Sequence, residues 1–272
     1  MSIFSLSIVT YETSILDLEK VYNSIKLCNL HWILFIVDNS PSDDLRSFAE
    51  RDNRVRYIFN NCNLGFGAGH NIALKEAMDL GISHHFIVNP DIYFEKDIIS
   101  PMIYFMKKDI KIGMIMPEVL HPDGTIQNLP KLLPSPLSII LRKLKRPKSY
   151  YKKFIQKYEL RNIPRYKIYN APILSGCFTL LNVDAIKDIG MYDDEFFMYF
   201  EDWDLSRRMT KNYKTIYFPQ VSVYHGYDSG ANKSAILFKI YIKSAIHYFN
   251  KWGWLFDKNR EAINFLTLSQ FK

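Results

Sequence analysis

Runs of five to eight mostly apolar residues, each closing on a polar side chain, alternate through the first half of the chain with stretches whose apolar residues return every three or four positions. A short apolar run suits a buried strand, and a three-to-four repeat suits a helix with one apolar stripe. "FSLSIVTY" therefore predicts a first strand, and Ile15, Leu18, Val21, Tyr22 and Ile25 predict a helix after it. "WILFIVDNS" predicts a second strand ending in Asp38 and Asn39, with a Pro-Ser-Asp turn into a short helix. "VRYIF" predicts a third, followed by the loop "NNCNLGFGAGHN" and a helix from near Ala68 through Met78. "HHFIVNPD" predicts a fourth strand that ends at Asp91. The alternation implies an α/β fold with an open, mostly parallel central sheet flanked by helices. Such sheets collect ligands at the carboxyl ends of their strands, which is where these polar residues fall.

The second half changes character. "GMIMPEVLHPDGTIQ" predicts strand, turn and strand, and residues 130–168 read as a Pro- and Lys-rich insertion with no strong period. "SGCFTLLNVDAI" resumes strand then helix, and "KTIYFPQVSVYH" predicts two short β segments. Residues 231–258 predict an amphipathic helix on which Lys239, Lys243, His247 and Lys251 recur every four positions as one polar stripe, flanked by Trp252 and Trp254. That stripe fits either the exposed edge of a packed helix or a helix lying in a membrane interface. No repeat or long linker divides residues 1–272, so one domain is expected, with parts at 1–125, 130–168, 169–230 and 231–258.

Composition narrows the picture. A chain of 272 residues, 48% hydrophobic, can bury a large core without disulfides or structural metal. Cys28, Cys62 and Cys177 are odd in number and far apart, which speaks against a disulfide framework or zinc site and for a reducing cytoplasm. The N-terminal "MSIFSLSIVTYE" has no basic leader and reads as a strand rather than a signal peptide, and no apolar run is long enough for a membrane span. The net charge of +7 is concentrated: residues 142–167 hold eleven Lys and Arg against Glu159 alone, leaving the remainder mildly acidic. One local positive block suggests docking to a polyanionic surface or ligand, or else a solvated loop, and not the groove of a nucleic-acid enzyme.

Several chemistries are excluded by what is missing. The turn after the first strand reads "TYETS", without the glycines a dinucleotide pyrophosphate needs, so a dehydrogenase is not expected. G-x-x-x-x-G-K-[ST], H-E-x-x-H and G-x-S-x-G are absent, which removes P-loop hydrolases, zincins and α/β-hydrolases. Carboxylates do close the second and fourth strands, at Asp38 and Asp91. The first can accept a hydrogen bond from a base or ribose, and the second can hold a divalent cation against a diphosphate; each alone is equally a turn former or cap. The stretch "GMYDDEFFMYFEDWDLSRRM" sets Asp193, Asp194, Glu195, Glu201, Asp202 and Asp204 among aromatic side chains. It fits a helix with a solvated acidic face, or a base kept dry.

Taken in order, "VTYE", "VDNS", "NLGFGAGHN", "NPDI", "SGCFTLLN", "MYDDEFFMYFEDWDLSRR" and "VYH" resemble the inverting family 2 glycosyltransferases of GT-A fold. The similarity is greatest to the rhamnosyltransferase-like branch that builds bacterial O-antigen and other surface polysaccharides. The resemblance implies that Thr10, Tyr11 and Glu12 line the nucleotide end of the first strand, that Asp38 meets the base or ribose, and that Asn63, Gly65 and Asn71 belong to the loop closing over the nucleotide. Asn89 and Asp91 stand at the acidic metal-binding motif, and His225 at a further metal or diphosphate contact. Ser175, Gly176, Trp203, Asp204 and Arg208 fall on the acceptor side. Asp202, the second residue of "ED", matches the general base, with Glu201 beside it as a like charge that lifts its pKa, and Phe196, Phe197, Tyr199, Phe200 and Trp203 keeping water away.

The usual D-x-D is here Asn89-Pro90-Asp91, one carboxylate where two are common, so a Mg²⁺ or Mn²⁺ cofactor would lean on the donor's own phosphates. The implied partners are a nucleoside-diphosphate sugar, dTDP-rhamnose by branch resemblance, and a polyprenyl-diphosphate-linked glycan acceptor. The implied location is the cytoplasmic face of the inner membrane, with the basic block and striped helix against anionic lipid; no nucleic-acid partner is expected. The rival readings are a sugar-nucleotide-binding protein without turnover and a glycoside hydrolase using two carboxylates of the acidic stretch.

Overall fold

The computed structural model describes residues 3–226 and 234–271. In chain order the elements are β1 (Ile3–Thr10), α1 (Ile15–Ile25), β2 (His31–Asp38), α2 (Arg46–Ala49), β3 (Val55–Phe59), α3 (Phe66–Asp79), β4 (His84–Val88), β5 (Ile92–Tyr93), α4 (Ile99–Met106), β6 (Ile112–Leu120), α5 (Pro136–Leu144), α6 (Lys148–Tyr158), β7 (Tyr169–Asn170), β8 (Phe178–Asn182), α7 (Val183–Ile189), α8 (Glu201–Met209), β9 (Lys214–His225), α9 (Ala235–Trp252) and α10 (Lys258–Ser269).

The continuous apolar runs arise because both faces of the sheet are covered. In β2, Leu34 and Ile36 enter the large core on one face, while Phe35 and Val37 meet Ala73 and Ala77 of α3 on the other. The nine-stranded sheet has the order β3-β2-β1-β4-β8-β6-β9-β5, with β7 paired to β9. β1 to β4 are mutually parallel, β8 runs against both β4 and β6, and β9 is parallel to β6. The reversal at β8 positions the site. Thr10, Asp38, Asn89 and His225 close β1, β2, β4 and β9, and Ser175-Gly176-Cys177 lead into β8, so all of them reach one edge of the sheet.

Local differences from the sequence expectations have physical causes. Residues 130–168 are not structureless: Ser135 and Ser138 form a reciprocal cap with Pro136 in the first turn, and that starts α5. "KTIYFPQVSVYH" is one strand, because the chain bulges between Phe218 and Ser222, around Pro219, and then regains its pairing with β6. The strand expected after the 121–125 turn shrinks to a single bridge, Leu120 to Ile126. α3 starts two residues before Ala68, and α10 was not foreseen. The expected boundary at 230/231 lies outside the described residues. Among the described residues no helix is long and apolar enough to cross a membrane.

Candidate active site

At the sheet edge Asp38 is fully buried and acts first as an organiser. Its Oδ1 accepts from Thr10 Oγ1 (3.0 Å) and Ser40 N–H (3.0 Å), and its Oδ2 accepts from Tyr57 Oη (2.7 Å). The same turn orients Glu12, whose N–H donates to Ser40 Oγ at 2.8 Å in a left-handed conformation, with φ +49°. Tyr11 and Glu12 are exposed beside it.

Gly65 is required by two constraints at once. Its φ is +86°, and a Cβ there would lie 2.1 Å from the carbonyl oxygen of Phe197, to which Phe66 N–H donates at 2.9 Å. Asn63, exposed, accepts from Gly65 N–H at 3.0 Å and holds the turn. Asn71, in contrast, is not in a loop over a nucleotide. It sits inside α3, and its amide is consumed by the Tyr192 carbonyl (2.9 Å), the Tyr192 N–H (3.0 Å) and Asp194 (2.6 Å). Its work is to fasten the acidic stretch to α3.

Asn89 and Asp91 meet His225 as the motif order implies. His225 Nε2 lies 3.4 Å from Asp91 Oδ1 and 3.3 Å from the Asn89 amide. Gln127, not anticipated from sequence, fixes the ring. Its amide nitrogen donates to the His225 carbonyl oxygen (2.9 Å), so its Oε1 faces Nδ1 at 3.1 Å and the imidazole carries its proton there. Nε2 is thereby turned toward Asp91, the orientation a metal-binding histidine takes. Among the described residues no cluster of three His, Cys, Asp or Glu is poised to hold an ion. Asp91 and His225 therefore fit a divalent cation only as a pair of ligands completed by phosphate oxygens.

Asp202 faces a cavity of about 730 Å³ whose wall also includes Asn89, His225, Gly176, Lys131 and Trp203. Tyr199 and Phe200 precede it with φ of +70° and +69°, a conformation that aromatic residues rarely adopt. Phe200 is held there by Trp203, Tyr241 and Tyr248, and the turn aims the first turn of α8 into the cavity. Asp202 Oδ2 accepts from Gly176 N–H (3.2 Å) and Oδ1 from Trp203 N–H (2.9 Å). Burial raises its pKa, while the Gly176 N–H, Lys131 and the Trp203 N–H restrain the rise. Glu201 beside it is 5% exposed, its Oε2 has no partner among the described residues, and burial first and Asp202 second push its pKa well up. Part of the dry wall comes from Phe66 of α3, whose ring would meet a Cβ on Gly176 at 3.0 Å.

The glycosyl transferase family 2 model matches residues 5–190, more than half of the chain. The chain belongs to glycosyl transferase family 2. Among curated relatives it is 22% identical over 238 residues to the low-salt glycan biosynthesis hexosyltransferase Agl10 of Haloferax volcanii, covering 86% of this chain and 71% of the relative. It is 25% identical over 225 residues to an N-acetylglucosaminyl-diphospho-decaprenol L-rhamnosyltransferase of Mycobacterium tuberculosis, covering 76% and 71%. Similar solved structures are GalNAc-T7 with UDP, GalNAc and Mn²⁺ (TM-score 0.61, 14% identity, 89% of this chain and 47% of that one) and S. aureus TarS (0.60, 15%, 100% and 43%). A third is the mannosyltransferase PcManGT of Pyrobaculum calidifontis with GDP-Man and Mn²⁺ (0.58, 14%, 99% and 75%). The chain spans less than half the length of the first two of these structures. The fold is that of GT-A glycosyltransferases, and the protein is an enzyme of that kind.

In this family 2 glycosyltransferase Asp204 and Arg208 of the 190–209 stretch are engaged in structural contacts. Asp204, expected on the acceptor side, is fully buried and accepts from Arg208 Nε (2.8 Å) and Trp252 Nε1 (2.8 Å), with Lys251 Nζ at 2.9 Å. Arg208, expected beside it, spends its other donors on the carbonyls of Ile189 (2.9 Å), Gly190 (2.8 Å) and Met191 (2.7 Å), which closes the end of α7. Asp193 is partly exposed, accepts from Glu195 N–H at 3.1 Å and is paired with Lys251 Nζ at 2.5 Å. Ser175 accepts from Thr179 through its carbonyl (2.6 Å), and it is the Gly176 N–H that reaches Asp202.

Proposed function

We propose that this glycosyltransferase acts with inversion, moving a sugar from a nucleoside diphosphate to a hydroxyl of a lipid-linked glycan during surface-polysaccharide synthesis. The carrying observation is that Asp202 and the Asn89–His225 pair lie on the walls of one cavity. Asp202 takes the proton of the acceptor hydroxyl as its oxygen bonds to the anomeric carbon, while the bond from that carbon to the diphosphate breaks on the opposite face. A base needs a pKa nearer neutrality than a solvated aspartate has, and burial supplies it. Asp91 and His225 are the residues that would hold a Mg²⁺ or Mn²⁺ ion, whose chemistry there is to offset charge on the departing diphosphate. Gln127 keeps the imidazole lone pair toward that position. On this reading residues 1–125 form the donor half, with Thr10, Tyr11, Glu12, Asp38, Asn63 and Gly65 around the nucleoside, and 169–230 carry the acceptor half. The similarity to a rhamnosyltransferase with a diphospho-decaprenol acceptor supports a rhamnosyl donor such as dTDP-rhamnose and a polyprenyl-diphosphate acceptor.

An amphiphilic acceptor calls for a membrane face, and two helices offer one. α5 exposes Leu137 (57%), Ile140 and Leu144, and α9 exposes Ile236 (71%), Ile242 and Ile246. Lys143 Nζ lies 4.5 Å from the Phe238 ring centroid and joins the two. The expected basic stripe on α9 is split, because His247 and Lys251 turn inward toward Asp193. Contact with lipid therefore rests on apolar side chains rimmed by the exposed cations of 145–157.

A thermal-shift panel of nucleoside diphosphates with and without Mn²⁺ tests the reading. One nucleotide should raise the melting temperature, with a further rise on adding Mn²⁺, and proton NMR of the product should show the inverted anomer. No stabilisation by any nucleotide, or retention at the anomeric carbon, overturns it.

A further inference from the structure

The cavity wall opposite in charge to Asp202 is built around one lysine. Lys131 is held at its backbone by a bridge to Ile173, and the next residues are clamped by the Leu132 N–H to the Tyr158 carbonyl (2.9 Å) and the Leu133 N–H to Asn264 Oδ1 (2.8 Å). Its side chain is 93% buried yet lines the cavity. The ammonium has no hydrogen-bond acceptor among the described residues and lies 5.2 Å from the Trp203 ring centroid. Arg142 approaches the same indole at 6.0 Å, steered by Glu159 at 3.5 Å, whose other oxygen is taken by Arg161. The ammonium stands at the cavity wall, where burial of the residue and, after it, Arg142 lower the Lys131 pKa to about 8. A site of this kind is completed by an anion.

Its position says which anion. In a displacement with inversion the nucleophile and the leaving group occupy opposite faces of the reacting carbon. Lys131 and Arg142 both stand over the indole of Trp203, the residue next to Asp202, so they lie on the side of the base and hence of the acceptor. The donor's diphosphate has its own edge at Asn89, Asp91 and His225. The same cavity is walled by Ile139 of α5 and by Leu237 and Tyr241 of α9, the helices that expose apolar faces outward. One cavity thus offers a base, a pair of cations and apolar helices, the groups that suit a sugar hydroxyl, a phosphate and a lipid. Resting on the reading of Asp202 as the transfer base, we propose that Lys131 and Arg142 form an anion subsite that binds the phosphate joining the acceptor's sugar to its lipid.

The test is calorimetric titration of farnesyl diphosphate into the full chain saturated with the nucleoside diphosphate that the thermal-shift panel selects. The wild type should bind it, farnesol should not bind, and Lys131→Met and Arg142→Gln should each weaken binding about tenfold or more, the loss expected for a charge-assisted hydrogen bond. Both variants should keep the wild-type affinity for the nucleoside diphosphate, which also shows that they fold. Undiminished binding of farnesyl diphosphate by Lys131→Met overturns the subsite. So does competition between farnesyl and nucleoside diphosphates, which would put these cations on the donor side, and so does binding of inorganic pyrophosphate with none of farnesyl diphosphate. Failure of every nucleoside diphosphate to bind the wild type is a separate result: it removes the transferase reading and leaves the farnesyl diphosphate titration to be read by itself.

Discussion

Asp202 and Glu201 are adjacent carboxyls with divergent duties, and their protonation states can be measured apart. Because burial raises the Asp202 pKa, kcat should climb with pH along an acid limb centred above the ordinary aspartate value of 3.8. Lys131 lowers that pKa, so Lys131→Met should move the limb to higher pH. Asp202→Asn should cut kcat by about 10²–10⁴-fold with nucleotide affinity kept; an unchanged rate rules out the assignment. For Glu201 the linkage has the opposite sense from a salt-bridged acid. Its folded pKa stands well above 4.5, so the stability it contributes is present below that value and drains away as pH rises toward the folded pKa. The melting temperature of Glu201→Gln relative to wild type should therefore improve steadily from about pH 5 to pH 8, and a flat difference would mean that Glu201 is ionised in the fold. The order of motifs singled out Asp202, Asp91 and His225 as candidates, and the structure sets Asp91 against His225 and Asp202 on a cavity wall that His225 shares. Asn71, Asp204 and Arg208 were misplaced because their partners, Tyr192, Trp252 and Met191, are set by packing that no local spacing encodes. Gln127 and Lys131 carry no motif at all and emerge only when residues 126–132 are seen along the cavity.

Strand periodicity and strand-end polar residues gave the parallel half of the sheet, since a strand buried on both faces declares itself by composition. The antiparallel β8 gave no such sign, because direction depends on connection and not on the residues within a strand. Nor was the role of α9 readable: its lysines form a tidy stripe on paper, yet Lys251 bends back to Asp193 and Asp204 and ties α9 to α8. That tie and the Trp252 Nε1 bond to Asp204 join α9 to α8, the helix that carries Asp202. Removing one side of a buried ion pair leaves the other uncompensated, at a cost of about 3–5 kcal/mol. Asp204→Ala should therefore lower the unfolding free energy by roughly that amount in a urea titration, whereas Asp204→Asn, which can still accept from Trp252 Nε1, should lose less. Equal losses would show that the charge on Asp204 carries the contact and the indole bond adds nothing.

Charge alone describes poorly the side of the transferase that we propose faces lipid. Of the eleven cations in 142–167, Arg142 and Arg161 are engaged by Glu159, Arg165 by Glu118, Lys143 by the Phe238 ring and Lys167 by the Gln270 carbonyl, so the field that reaches solvent comes mainly from Lys145, Arg146, Lys148, Lys152, Lys153 and Lys157. Each such residue near anionic lipid contributes about 1 kcal/mol, a term that dies within a Debye length of roughly 8 Å at physiological salt and 3 Å at 1 M. The apolar faces of α5 and α9 behave otherwise: an isoleucine or leucine moved from water into the interface gains up to about 1.5–3 kcal/mol, and salt does not screen it. The two contributions separate in a cosedimentation experiment with vesicles containing anionic lipid. Wild type should pellet with vesicles at 0.15 M salt and keep a measurable fraction bound at 1 M. Replacing Lys145, Arg146, Lys148 and Lys152 by Gln should remove the salt-sensitive part only, and Leu137→Ser with Ile140→Ser and Ile242→Ser should remove the part that survives high salt. Complete release of the wild type by salt would mean that the helices touch the bilayer through charge alone and that the apolar faces of α5 and α9 do not enter it.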